Sequence, residues 1–259
     1  MEADTAPTDS PVPPGIALFD LDGTLIAWDC QLLFRHFVIR REPWRACLLP
    51  VFLVVLPLAP LLGKDLLKRV FLSYLVGIDE ARLAEHSREF ARQVAASVFP
   101  EVLAELRQHQ AEGDFTVLTS ASPECYVAEI GRELGFDRSF GTRFSPGPLI
   151  PVLTNHKGAE KVNRLRKALP KQWFDGPHLK NTHGYTDSAA DLPMLALCRQ
   201  VTLINPKPEL MEQGKRHSWR VLQPARPWSG SFDHAVRSLK LLLGLGKNPG
   251  AMAHPEPKA

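Results

Sequence analysis

Two pairs of carboxylates stand where chemistry can be done. Asp20 and Asp22 sit two apart in FDLDGTL (Phe19–Leu25), directly after an apolar run. Asp187 and Asp191 sit four apart in GYTDSAADLPML (Gly184–Leu195). In an open α/β sheet, ligands bind beyond the carboxyl ends of strands, so a carboxylate placed there can act as a nucleophile or ligate magnesium. A second carboxylate one loop turn away can serve as general acid and base. Gly23 lets the backbone turn sharply between them. A D-G turn joining two elements also accounts for the first pair. Asp187 and Asp191 lie on one face at a helix start, where they suit a hard cation or merely cap the helix.

The elements that would position these residues alternate between strand and helix. Ile16 to Phe19 (IALF) reads as a buried strand that delivers Asp20 at its end. Pro100 opens a helix with Val102, Leu103 and Leu106 on one face, closed by Gly113. FTVLTS (Phe115–Ser120) is a second strand. A helix follows, with Ser122 as N-cap, Pro123 at its first position and Gly135 as C-cap. Phe140 to Leu153 reads as short strands around SPGP. Gly158 to Leu169 is an amphipathic helix with Val162, Leu165 and Leu169 inward. Asp191 to Cys198 reads as a helix, VTLI (Val201–Ile204) as a strand and WRVL as the last strand. The strand before Asp187 is poorly marked, with only Leu179 and Tyr185 clearly inward. The pattern predicts an α/β fold: a Rossmann-like parallel sheet with helices on both faces. The run from Trp28 to about Ser97 breaks the alternation and reads as an inserted helical cap.

Composition bounds the rest. The chain has 259 residues, 44% of them apolar, and a net charge of +3. That is enough to build a sizeable core and too little charge to argue for nucleic acid. The cysteines Cys30, Cys47, Cys125 and Cys198 form no metal or disulfide spacing and read as reduced thiols. Residues 1–14 have no signal-peptide pattern and read as a disordered lead, as does the tail 246–259.

Taken together, DLDGT (20–24), VLTSAS (117–122), GAEKV (158–162) and GYTDSAAD (184–191) resemble, in order, the motifs of the haloacid dehalogenase-like phosphatase superfamily. The resemblance covers roughly residues 16 to 205. It implies a core of residues 15–27 and 98–245 with a helical cap over 28–97. It further implies Mg²⁺-dependent hydrolysis of a phosphomonoester through an aspartyl-phosphate. Asp20 would be the nucleophile and Asp22 the acid and base. Asp20, Asp187 and the main-chain carbonyl of Asp22 would hold Mg²⁺, with Asp191 behind them. Ser120, Ala121 and a lysine would bind the phosphate. Two lysines, Lys157 and Lys161, share one helix face. The subgroup's spacing favours Lys161, while phosphoserine phosphatases place theirs where Lys157 stands. His36, His156 and His183 read as surface or loop histidines.

The cap should set substrate choice. It contains ACLLPVFLVVLPLAPLLG (Ala46–Gly63), eighteen residues without a charge and broken by prolines. Arg35, Arg40, Arg41, Trp44 and Arg45 precede it and Lys64, Lys68 and Arg69 follow, as at a membrane interface. A lone crossing would split the motifs between two sides of a bilayer, so a re-entrant or interfacial segment, or a buried cap helix, is expected. These features resemble the phosphoserine-phosphatase-like subgroup, including its phosphatidylglycerophosphate phosphatases. A lipid phosphate at a membrane surface is therefore the expected substrate, in a cytoplasmic protein peripheral to or re-entrant in the inner membrane. A soluble phosphatase of the phosphoserine or histidinol-phosphate type is the alternative, and an inactive membrane-binding scaffold a third. Oligomeric state and pathway are left open.

Overall fold

The computed structural model describes residues 11–58, 61, 63–145, 151–154 and 156–246. The expected SPGP turn and most of both terminal leads lie outside them. β1 (Ile16–Phe19) is apolar throughout and sends alternate side chains to opposite faces. Ile16 and Leu18 join one apolar cluster, Ala17 and Phe19 the other. The inserted helices follow: α1 (Cys30–Arg41), α2 (Leu49–Val55), α3 (Lys64–Phe71) and α4 (Glu80–Ala95). α5 (Pro100–Glu112) begins at its proline and ends at Gly113 in the left-handed region, as the spacing predicts.

The chain then alternates through β2 (Phe115–Pro123), α6 (Glu124–Leu134), β3 (Arg138–Ser145), β4 (Val152–Thr154) and α7 (Ala159–Ala168). A two-stranded ribbon, β5 (Phe174–Asp175) with β6 (His178–Leu179), precedes β7 (Thr182–Thr186). The last elements are α8 (Leu192–Leu195), β8 (Gln200–Ile204), α9 (Pro208–Arg216), β9 (Arg220–Leu222) and α10 (Ser231–Leu242). Seven strands form one sheet in the order β4-β3-β2-β1-β7-β8-β9, parallel except for β4. The expected Rossmann-like α/β fold is present, with an apolar cluster on each face of the sheet.

β2 departs from expectation. It runs through Ser120 and Ser122 to Pro123, so α6 starts at Glu124 and Ser122 is not its N-cap. The pairing of β2 with β3 shifts between Thr119 and Pro123, a bulge that turns both serine hydroxyls toward Asp22. The helix expected over Asp191 to Cys198 is also shorter: a 3₁₀ turn, Ala189–Asp191, leads into α8. β7 forms despite its weak apolar pattern because β1 and β8 pair with it on both sides. Its polar side chains are satisfied: His183 meets Thr202 at 2.8 Å, Tyr185 donates to Glu105 at 3.0 Å, and Thr186 donates to Asp191 at 2.8 Å.

Among the described residues, buried side chains of the segment between β1 and α5 join a cluster shared with the rest of the fold. Phe34 and Phe37 of α1 and Phe90 of α4 are buried in the same cluster as Tyr126 and Ile130 of α6. The apolar run is folded rather than extended. It is divided among a 3₁₀ turn ending at Leu48, α2 and a second 3₁₀ turn, Leu56–Leu58. No helix among the described residues is long and apolar enough to cross a membrane. Phe52 packs edge-on to Phe71 at 5.2 Å, while Leu53, Val54, Leu56 and Leu61 are exposed.

The flanking cations do not form the expected interfacial belt. Arg35 is buried and donates to the carbonyl of Leu242. Arg45 is buried against Glu42 and the carbonyls of Tyr74 and Val76. Arg69 donates to the Pro151 carbonyl, and Arg41 pairs with Glu89. Arg35, Arg45 and Arg69 thus satisfy main-chain carbonyls of the fold. Among them, Trp44 stays exposed beneath the Arg45 guanidinium.

Candidate active site

The carboxyl ends of β1, β2 and β7 converge. β1 and β7 pair as far as Phe19 and Tyr185, and the amide of Asp20 donates to the Tyr185 carbonyl. Asp20 and Asp187 therefore leave neighbouring strands side by side. Thr24 ties them: its hydroxyl donates to Asp20 Oδ2 at 3.3 Å and accepts from the Asp187 amide at 3.0 Å. Gly23 takes φ +80°, and a Cβ there would lie 2.3 Å from Asp187 Oδ2, so the turn admits only glycine.

Of the two lysines, Lys161 enters from α7 and reaches Asp20. It is buried, with Nζ 2.7 Å from Asp20 Oδ1 and 2.8 Å from Asp191 Oδ1. Burial works against its charge, but Asp20 and Asp191 hold its pKa above the ordinary lysine value. Lys157 is exposed, on the wall of a cavity beside α3. Asp191 is thus a lysine partner as well as an acceptor for Thr186.

Asp22 is clamped by three donors. The Cys30 amide donates to Oδ1 at 2.6 Å, and the hydroxyls of Ser120 and Ser122 donate to Oδ2 at 3.1 and 2.8 Å. Ser120 also accepts from the Ser122 amide at 2.9 Å. The carbonyl of Ala121 accepts from Thr142 at 2.6 Å and from Lys68 at 2.7 Å. Lys68 is the residue that sequence reasoning placed wrongly. Set among the basic flanks of the apolar run, it instead reaches the core, where burial brings its pKa down to about 8. Ser122, read as a helix cap, was likewise missed. Thr24 had a signal, its place within DLDGT.

None of the three histidines is exposed, and only His156 lies in a loop. His36 is buried on α1, near the Leu241 carbonyl. His156 is buried in a loop, with Nε2 2.8 Å from Thr119 Oγ1. Burial, then Arg164 and Lys161, holds it neutral, with a pKa of about 3. His183 is half-buried on β7. None contacts the carboxylates directly among the described hydrogen bonds.

Electrostatically, burial outweighs the cations around the carboxylates. Burial lifts Asp20 well above the carboxylate range; Lys161 opposes this, while Asp191, Asp187 and Asp22 reinforce it. Burial, Asp191 and Asp22 raise Asp187 to about 6. Among the described residues no hydrogen-bond donor reaches the Asp187 carboxylate. An all-oxygen set with an unsatisfied, half-buried carboxylate fits a hard divalent cation such as Mg²⁺.

Comparison with known proteins agrees with this geometry. The family model described as haloacid dehalogenase-like hydrolase matches residues 17–196. A histidinol-phosphatase of Neisseria meningitidis is 25% identical over 230 residues, spanning 80% of this chain and 97% of that protein. Protein CicA of Caulobacter vibrioides is 33% identical over 198 residues, spanning 71% of this chain and 83% of that one. A solved protein of unknown function from Bordetella pertussis Tohama I superposes with a TM-score of 0.63 at 25% identity, covering 80% and 97% of the two chains.

Proposed function

The chain belongs to the haloacid dehalogenase-like hydrolases, and from that premise we propose that it is a phosphatase for small phosphomonoesters, with Asp20 as nucleophile. One observation carries the reading. A buried lysine is bonded to Asp20, while Asp22, two residues on, is held by two serine hydroxyls.

Asp20 attacks phosphorus and displaces the leaving oxygen, to which Asp22 gives a proton. The phosphoryl group then rests on Asp20. Asp22 takes a proton from water, which attacks phosphorus and frees Asp20. Lys161 favours the ionised nucleophile against its burial, adding to the charge that Mg²⁺ would supply, and offsets phosphoryl charge. Ser120 and Ser122 can turn their hydroxyls from Asp22 to phosphoryl oxygens. Asp20, Asp187 and the Asp22 carbonyl would hold Mg²⁺, which when bound supplies the charge that lets an anionic carboxylate approach an anionic phosphate.

Small soluble substrates are favoured over a lipid. Arg35, Arg45 and Arg69, expected at a membrane belt, are turned into the fold, and the relative named histidinol-phosphatase aligns along most of the chain. One observation supports the lipid as a second reading: Val54 and Leu61 are 68% and 85% exposed on the insertion. A panel of phosphoserine, histidinol phosphate, phosphatidate and phosphatidylglycerophosphate with Mg²⁺ tests both. The proposal expects turnover of a soluble ester that Asp20→Asn abolishes while the melting curve stays cooperative. Turnover retained in that variant refutes the mechanism, and preference for the lipids favours the second reading.

A further inference from the structure

A second wall of the active-site cleft comes from outside the family-matched residues. A cavity of about 710 Å³ is lined by Asp22 and Asp187 on one side. On the other side stand Lys207, Arg226, Trp228 and His234, which follow β8 and β9 and lie beyond residue 196, where the family match ends. This wall is built. Trp228 packs edge-on to the buried Trp28 at 4.8 Å, and His234 lies against Trp228 at 4.2 Å. The Arg226 guanidinium sits 5.9 Å from the Trp228 ring and is steadied by the Asn205 carbonyl at 2.9 Å.

Lys207 and Arg226 face Asp187 across the cavity and work against the rise in its pKa, but neither is bonded to it. Neither Lys207 nor Arg226 has a carboxylate within ion-pair distance among the described residues. Arg226 keeps most of its five donors after its single bond to Asn205. Burial and Arg226 hold His234 toward the neutral form, so the aromatic surface is uncharged and the cations stand at its rim. A wall of packed rings beside two cations is complementary to a flat group that carries an anion.

Asp22 lines this cavity, so a leaving oxygen protonated by Asp22 can have its organic part lying along it. We propose that the cleft selects phosphomonoesters whose leaving group is an aromatic or heteroaromatic ring bearing a second negative charge, with Trp228 and His234 against the ring and Arg226 and Lys207 on the anion. This rests on the phosphatase reading and adds the substrate class.

The test compares kcat/KM of the Mg²⁺-loaded full chain for 4-carboxyphenyl phosphate, phenyl phosphate and phosphoserine. The carboxyphenyl ester should be preferred. Arg226→Gln should lower the ratio of carboxyphenyl to phenyl ester by about tenfold, as for loss of a charged hydrogen bond. Trp228→Leu should lower the ratio of phenyl ester to phosphoserine by roughly three- to tenfold. Because Trp228 also packs against Trp28, the exposed Arg226 variant carries the test if Trp228→Leu melts early. Unchanged ratios, or phosphoserine as the preferred substrate, overturn the proposal while leaving the phosphatase reading intact. Hydrolysis of none of the three overturns both.

Discussion

At the scale of single residues, the site is held by a few contacts that admit little change. Gly23 shows this most simply, because its positive φ and the nearby Asp187 oxygen both exclude a side chain. Gly23→Ala should cost about 1–3 kcal/mol of stability and most of the activity, read by thermal melting and phosphate release. Asp187 makes a prediction of opposite sign for stability. The fold raises its pKa from 3.8 to about 6, so the protonated form favours folding. Its ionisation penalty is absent below about pH 4, grows through about pH 6 and is complete above that. Without metal, Asp187→Asn should therefore be more stable than the parent by about 2–3 kcal/mol at pH 7, and the two should converge near pH 4. Urea unfolding in EDTA across that range checks it; equal stability at pH 7 would refute the burial argument. The carboxylates were legible in the sequence because their spacing is local. The partners of Lys161 and Lys68 were not, since both side chains act across more than fifty residues of chain.

At the scale of elements, legibility followed the strength of local punctuation. Pro100 with Gly113, and Gly135, marked helix ends that the structure reproduces. Ser122 and Pro123 carried the same kind of signal, but the demand of Asp22 for hydroxyl donors and the bulge in β2 outweighed it. β7 was obscured because its polar side chains find partners on neighbouring elements. The insertion was legible as helical, but its attachment was not. Phe34 is fully buried against Phe37, Phe90 and Tyr126, joining α1, α4 and α6. Phe34→Ala should cost about 3–5 kcal/mol in the whole fold. Val54→Asp, on the exposed face of α2, should change stability by no more than about 0.5 kcal/mol. Denaturant melts of the two variants separate a welded insertion from a loosely attached one; a Phe34→Ala melt like the parent's would contradict the shared core.

For the whole molecule, the topology brings the candidate residues together. β1 lies near the middle of the sheet between β2 and β7, so three strand ends deliver Asp20, Ser120 and Asp187 to one crevice. That is where open α/β sheets bind ligands. The alternation of strand and helix was enough to anticipate this architecture. It could not show that the segment after β8 returns to the same crevice, because Arg226 and Trp228 lie in a stretch with no catalytic motif. The apolar run is the reverse case: conspicuous in sequence, it is divided among short helices. The central claim is that phosphate passes through Asp20, and acid-quenched mass spectrometry of Asp22→Asn reacting with p-nitrophenyl phosphate and Mg²⁺ tests it most directly. That leaving group departs without a proton, whereas in the proposed mechanism breakdown of the intermediate needs Asp22. The account predicts a phosphoryl group accumulating on the peptide that contains Asp20; nitrophenol release with no phosphorylated peptide, or with the phosphoryl group on another residue, would contradict it.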